Sequence, residues 1–316
     1  MKNKNVLLIG GGGTLGTYTA QELLRKGCFV DVICLEDKVS DNTNLCFHKV
    51  NADLETLKAF LKDRYYDGIV NFIHYLDVED YKPVHRLLSA KTEHLIFLSS
   101  YRVYADLQHP ITEEAPLLLD VLEDKLFHET EKYAASKTRC EWFLREESGT
   151  DNWTVVRPVI SFSENRLDLV CRSGHDVLRM TENGQTILLP EKARNLTAGL
   201  EWAGNSGKLI ANLLFKKETL REAYTVSGAQ NLTWDEVADI YTDLIGAKFQ
   251  WVDTDKYIEN EPKVRSDPFI LKYDRLFDRK IDNSKILKAT GLKASDFVPI
   301  RDGIKTEIEK IKNKVC

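Results

Sequence analysis

Tyr133 and Lys137 stand four residues apart in the run YAASK, and Ser100 follows the apolar run LIFL at 95–98. At helical spacing, positions i and i+4 share a face, so the phenol and the ammonium would be neighbours. An unperturbed phenol, with a pKa of about 10, is a poor base near neutrality. A nearby cation favours the phenolate, and a phenol so placed can take or return a hydroxyl proton. A serine at the carboxyl end of a strand can hold the oxygen that exchanges that proton. Taken alone, YxxxK reads as a tyrosine packed at a helix interface with a solvated lysine. Its chemical meaning depends on what surrounds it.

That surrounding begins far upstream. Gly10, Gly13 and Gly16 lie between the apolar run Val6–Ile9 and an amphipathic stretch that Thr14 and Leu15 open. Glycine at the first position permits a tight turn, at the second a close approach to a pyrophosphate, and at the third close packing of helix on strand. The helix N-terminus supplies free N–H donors. Glu36, 20 residues after Gly16, ends the next strand. Its carboxylate suits adenosine ribose hydroxyls and repels a 2′-phosphate, so NAD is the cofactor expected over NADP. Asp53, followed by Leu54, either faces the adenine or caps a helix. Phe72, at the end of the third apolar run, completes the expected cofactor wall.

The elements that must position these groups alternate. Strands are expected at Val6–Ile9, Phe29–Leu35, Ile69–Ile73, Leu95–Leu98 and Trp153–Val156. Helices are expected at Leu15–Lys26, Leu54–Leu61, around Val84–Ser89 and over Glu129–Glu147, with a long acidic connection at 106–128. This alternation predicts a Rossmann-type α/β fold, a doubly wound parallel sheet. Residues 1–160 would form the NAD-binding domain, with a strand near 223–226 rejoining its sheet. Residues 161–316 would form mainly a smaller substrate-binding lobe. There, Thr233 with Glu236 makes a capping box for a helix running to Ile245. Trp234, Tyr241, Phe249 and Trp251 read as core of that lobe.

Composition excludes other classes. A net charge of −5 argues against a nucleic-acid partner, which calls for a basic surplus. No apolar run is long enough to span a membrane. The opening Met1-Lys2-Asn3-Lys4-Asn5 is too short and polar for a signal peptide. The cysteines at 28, 34, 46, 140, 171 and 316 form no CxxC pair and no Cys/His metal spacing. No metal is expected, and the scattered thiols point to the cytoplasm. Arg166, Arg172, Arg194 and Arg265 read as solvated or ion-paired, with a phosphorylated substrate as the alternative partner. Lys305, Lys310, Lys312 and Lys314 read as a solvated helix face. His74 reads as a structural hydrogen-bonding group or as a second acid/base.

In family order, the segments IGGGGTLG at 9–16, Glu36, ADL at 52–54, DGIVNF at 67–72, FLSSYRVYA at 97–105, ITEEAPL at 111–117, YAASK at 133–137 with Glu141, and VVRP at 155–158 resemble the extended short-chain dehydrogenases/reductases, the NAD-dependent epimerase/dehydratase family. AYTVSGAQNLTWDEVADIY at 223–241 extends the likeness more loosely. The resemblance implies Ser100, Tyr133 and Lys137 as catalytic groups, with Lys137 also on the nicotinamide ribose. It implies substrate contacts from Ser100, Tyr101, Arg102 and Tyr133. The implied reaction is oxidation of a sugar or nucleotide-sugar hydroxyl through a keto intermediate, ending in an epimer or a dehydrated product. A homodimer through helices near 80–90 and 129–147 is also implied.

Three departures stand out. Ile73-His74 replaces two small residues, VISFSEN follows Arg157-Pro158, and Asn205 stands where an aspartate is usual. FIHY at 72–75 resembles an atypical branch related to chloroplast stem-loop RNA-binding proteins. The alternatives are therefore a binding protein that keeps the fold, RNA-associated or otherwise non-catalytic, and an NAD(P)H-dependent reductase of a small carbonyl compound.

Overall fold

The computed structural model describes the backbone of residues 2–315 and the side chains of residues 2–313. Met1, Cys316 and the Lys314 side chain lie outside the described residues.

The chain starts with β1 (Asn5–Ile9), α1 (Thr14–Arg25), β2 (Phe29–Cys34), β3 (Leu45–Lys49), α2 (Leu54–Phe60), β4 (Gly68–Asn71), α3 (Val78–Ser89) and β5 (Leu95–Leu98). Two short helices, α4 (Leu118–Val121) and α5 (Lys125–Thr130), precede α6 (Tyr133–Glu146) and β6 (Trp153–Pro158). Then follow β7 (Ile160–Phe162), α7 (Gly174–Glu182), β8 (Thr186–Pro190), β9 (Leu200–Trp202), α8 (Ala203–Leu213) and β10 (Glu222–Val226). The last third holds α9 (Trp234–Ile245), β11 (Lys248–Val252), three short helices α10 to α12 (Thr254–Asn260, Pro262–Ser266, Pro268–Ile270), α13 (Ser284–Thr290) and α14 (Ile300–Val315).

Seven strands form one parallel sheet in the order β3-β2-β1-β4-β5-β6-β10. Strand order reverses direction between β1 and β4, and ligand crevices open at the carboxyl ends of strands at such a point. Gly10 follows β1 and Phe72 follows β4, so both stand at that switch. β1 is fully buried from Val6 to Ile9, as a central parallel strand with helices on both faces must be.

β10 rejoins the sheet beside β6, as its apolar run led us to expect. β3 was not foreseen, and it makes β4 the fourth strand in sequence rather than the third. It is an edge strand whose residues are half-buried or exposed, so LCFHK carries no apolar run to announce it. The capping box of Thr233 and Glu236 forms on α9. Trp234 and Tyr241 are buried, with Phe249 and Trp251 packed beside them in the core under β8 and β11.

Three details differ from the sequence reading. The helix expected over Glu129–Glu147 begins at Tyr133. Within the connection read at 106–128 lie α4 and most of α5, which runs on to Thr130. Lys310 is not simply solvated, since its ammonium donates to Tyr18 Oη (2.6 Å) and Glu307 Oε1 (2.9 Å), tying α14 to α1. Among the described residues no disulfide joins the cysteines, and no helix is long and apolar enough to cross a membrane.

Candidate active site

The turn after β1 is built from glycines for reasons of space. Gly10 has a φ of 69°, in the left-handed region. A Cβ on Gly16 would stand 2.3 Å from the Gly11 carbonyl oxygen, so α1 can pack on the turn only with glycine there. A Cβ on Gly13 would meet nothing within 4 Å and would project into open space. Gly13 precedes α1 with no side-chain cap, which leaves the first N–H groups of that helix available. We expect Gly16→Ala to abolish any thermal stabilisation by NAD while the protein still folds; an unchanged shift would contradict this packing.

Gly10, Gly13, Thr14, Leu15, Gly16 and Phe72 line one wall of a cleft of about 500 Å³. Ser100, Tyr101, Arg102 and Tyr133 line the same cleft. An adjoining hollow of about 200 Å³ shares Gly10 and Gly13 and holds Glu36, Asn51, Ala52 and Ile73. Asp53 and Leu54 line neither cavity. Asp53 caps α2 through the Thr56 N–H (2.9 Å), the second of the two roles its sequence position allowed. Ile73 packs against the turn, with its Cδ1 2.7 Å from where a Gly10 Cβ would be.

Tyr133 is the first residue of α6 because Glu131 caps that helix. The Glu131 carboxylate accepts from the N–H groups of Tyr133 (3.1 Å), Ala134 (3.0 Å) and Ala135 (3.1 Å). The Arg102 guanidinium lies 5.1 Å from the Tyr133 ring centre, on its face. Arg102 is held between Glu131 (3.5 Å) and Asp274 (3.6 Å). Ser100 Oγ accepts from the Arg102 N–H (3.2 Å), which fixes the turn that presents both residues. The His74 ring packs edge-on to Tyr133, and its Nε2 pairs with Ser136 Oγ at 2.8 Å. Burial, then the Lys137 charge, lowers the His74 pKa to about 4, so it is neutral and structurally engaged.

Lys137 is buried one turn below Tyr133. Its ammonium donates to the carbonyls of Leu98 (2.5 Å) and Ile73 (3.5 Å), at the ends of β5 and β4. Burial lowers its pKa to about 8, against a partial counter-effect from Cys140 and Glu141. An unfolded lysine keeps its proton to about 10.5, so between these values the unfolded chain binds more protons and stability rises with pH. The charged form costs about 3 kcal/mol below that window. We expect the stability difference between wild type and Lys137→Met to move toward the wild type from about pH 7 to about pH 10 in urea unfolding. A pH-independent difference would contradict a buried ammonium.

Beneath the cleft, the motif residues lock one another. Arg157 donates to both oxygens of Glu141 (3.0 and 2.5 Å), to Tyr104 Oη (2.9 Å) and to the Glu113 carbonyl (3.1 Å). Ser99 donates to Glu141, and Glu113 accepts from the Thr225 N–H (2.7 Å). β5, α6, β6 and β10 are thereby tied at the cleft floor. Burial pushes the Glu141 pKa up, but Arg157 and the hydrogen bonds outweigh it and hold the carboxyl below its usual range.

Asp274 and Glu131 are site residues that the sequence did not single out. Asp274 lines the cleft and accepts from the Tyr101 hydroxyl. Burial raises its pKa, but Arg275, Arg102 and Arg279 outweigh burial and keep it ionised. Of the four arginines weighed for a phosphorylated substrate, only Arg166 lines the cleft. Arg172 pairs with Glu261 and Arg194 with Asp235. Asn205 is spent on structure, donating to Glu201 and Val298 and accepting from the Val298 N–H.

A doubly wound parallel sheet with a glycine turn at its switch point defines a Rossmann-type architecture, with Ser100 and Tyr133 on the cleft beside the turn and Lys137 buried beneath. The sequence model of the NAD dependent epimerase/dehydratase family matches residues 6–197, and the chain belongs to that family. Among solved structures it is similar to an epimerase from Methanothermobacter thermautotrophicus, at 15% identity and TM-score 0.72, covering 99% of this chain and 93% of that one. It is also similar to the Bordetella bronchiseptica enzyme WbmG in complex with NAD (17%, TM-score 0.70, 99% and 95%). A third is UDP-glucose 4-epimerase with UDP-glucose from Thermotoga maritima (14%, TM-score 0.68, 99% and 100%). A search of curated protein sequences found no significant match. The open glycine turn, the uncapped start of α1 and the Glu36 hollow fit NAD, the cofactor of this family.

Proposed function

We propose that this protein oxidises a hydroxyl of a sugar or nucleotide-sugar and carries the keto form onward to an epimer or a dehydrated product. One observation carries the reading: the glycine turn, Ser100, Arg102 and Tyr133 line a single continuous cleft. The likeness to structures holding UDP-glucose, or NAD with UDP, supports the substrate class. In this reading residues 1–160 hold the cofactor and residues 161–316 supply mainly the substrate lobe. The backbone of residues 13–16 takes the pyrophosphate and Glu36 the adenosine ribose. Bound NAD supplies a reversible hydride acceptor. Tyr133 removes the hydroxyl proton, and Ser100 donates to the oxygen left behind. Arg102, on the Tyr133 ring face, and the Lys137 ammonium below supply positive charge as negative charge develops. Arg166 and Arg102 offer planar donors to phosphate or sugar oxygens. Two copies pair through α3 and α6, which sedimentation would check.

The test is a thermal-shift titration with NAD and NADP, each alone and with a panel of nucleotide-sugars. A ligand that binds only the folded state raises the melting temperature. We expect a shift with NAD, a smaller one with NADP because of Glu36, and a further rise with one nucleotide-sugar. No shift with either dinucleotide, on protein verified free of bound cofactor, would overturn the reading.

A further inference from the structure

A second constellation lies at the β3 edge of the sheet, and none of its residues lines the cleft. β2 and β3 pair in parallel with Asp31 beside Cys46 and Ile33 beside His48. Neighbouring residues in register point to the same face, and so do residues two apart on one strand. Asp31, Cys46 and His48 therefore project together. One ligand-type atom from each lies within 4.8 Å of the other two. His48 Nε2 is 2.8 Å from Asp31 Oδ1.

The groups around them are held in place. The hydroxyl of buried Tyr66 donates to the other Asp31 oxygen at 2.6 Å and fixes the carboxylate plane. The His48 ring packs edge-on against Phe60, with centroids 4.9 Å apart. His48 and Asp31 are 23% and 29% exposed at their side chains, and Cys46 opens to solvent. A hollow of about 240 Å³ beside them, lined in part by Asp31, Cys46, Asn44 and Tyr66, leaves room for a solvent ligand.

We propose that Asp31, Cys46 and His48 form a binding site for a zinc-class divalent ion, with water as the fourth ligand. A thiolate, an imidazole nitrogen and one carboxylate oxygen are the donors such borderline-soft ions take, whereas magnesium and calcium take oxygen alone. Binding releases the Cys46 thiol proton. His48 would ligate through the Nε2 lone pair with its hydrogen on Nδ1, an arrangement that replaces the present contact of Nε2 with Asp31. Tyr66 is the positioning residue, since it orients a ligating carboxylate. The ion would staple the exposed edge strand β3 to β2, an edge otherwise open to pairing with another chain. The sequence spacing did not show this site because Asp31 reaches Cys46 only through the strand register.

The test uses full-length protein stripped with chelator and kept reduced. Zinc is titrated calorimetrically, and cobalt is added as a spectroscopic probe. We expect one zinc per chain, a raised melting temperature, and a thiolate-to-cobalt charge-transfer band. Cys46→Ser, at an exposed position, should remove that band and weaken zinc by more than about 100-fold. Tyr66→Phe should weaken it by about tenfold, in the range of lost outer partners. Circular dichroism would confirm that both variants are folded. No stoichiometric zinc, or equal affinity and an intact band in Cys46→Ser, would overturn the assignment.

Discussion

We expect Tyr133→Phe to lower turnover of the physiological substrate by about a thousandfold and to leave NAD affinity unchanged. The substitution removes one oxygen at the first position of α6, and nothing in the helix cap depends on it, because Glu131 bonds to the backbone. The ring keeps its contacts with Arg102 and His74. In the proposed mechanism the oxygen removed is the group that exchanges the substrate proton, and general acid–base groups contribute about 10²–10⁴ in rate. A thousandfold loss corresponds to about 4 kcal/mol of transition-state stabilisation. Steady-state kinetics with a parallel NAD titration separates this from misfolding or lost cofactor. Wild-type turnover in the variant would remove Tyr133 from the mechanism.

We expect Arg157→Leu to destabilise the fold by about 3–5 kcal/mol, the range for a buried pair that loses one partner. Arg157 and Glu141 are both fully buried, and Glu141 would be left with only the Ser99 hydroxyl and the half-exposed Arg145 guanidinium at 3.5 Å. Tyr104 and the Glu113 carbonyl would lose their donor as well. Replacing Arg157 and Glu141 together with leucine recovers much of the loss, because no uncompensated charge then remains. Urea unfolding of the two variants measures both numbers. A cost below about 1 kcal/mol for the single variant would mean that the network does not hold the floor of the cleft.

Sequence reasoning reached the parts of this molecule that obey local rules. Gly10 and Gly16 announce a turn because backbone angle and space leave no other residue there. Tyr133 and Lys137 announce a face because a helix repeats. Thr233 and Glu236 announce a helix start because the capping box spans four residues. The hidden parts depend on partners far along the chain. β3 is a strand by virtue of β2 beside it, not of its own apolar content. Glu131 ends α5 through its backbone and starts α6 through its carboxylate, a side-chain contact that helical periodicity does not encode. Asp274 enters the cleft only because Tyr101, Arg102, Arg275 and Arg279 gather around it.

The motif residues also gain a physical meaning that their order in sequence does not supply. Glu113, Glu141 and Arg157 line no part of the cleft, yet they join the strands and the helix that carry Ser100 and Tyr133. Of the departures from the family pattern, Ile73 lines the Glu36 hollow and Asn205 is bonded to Glu201 and Val298, while His74 packs edge-on to Tyr133.

The most direct test of the central claim is a single-turnover experiment on NAD-loaded protein with the nucleotide-sugar chosen by the thermal-shift panel. Absorbance of reduced nicotinamide would be followed alongside product analysis. The account predicts a transient rise that decays as epimer or dehydrated product forms, with no net consumption of NAD, and no rise in Tyr133→Phe. Product formed without any redox signal, or a rise of the same rate in Tyr133→Phe, would contradict it.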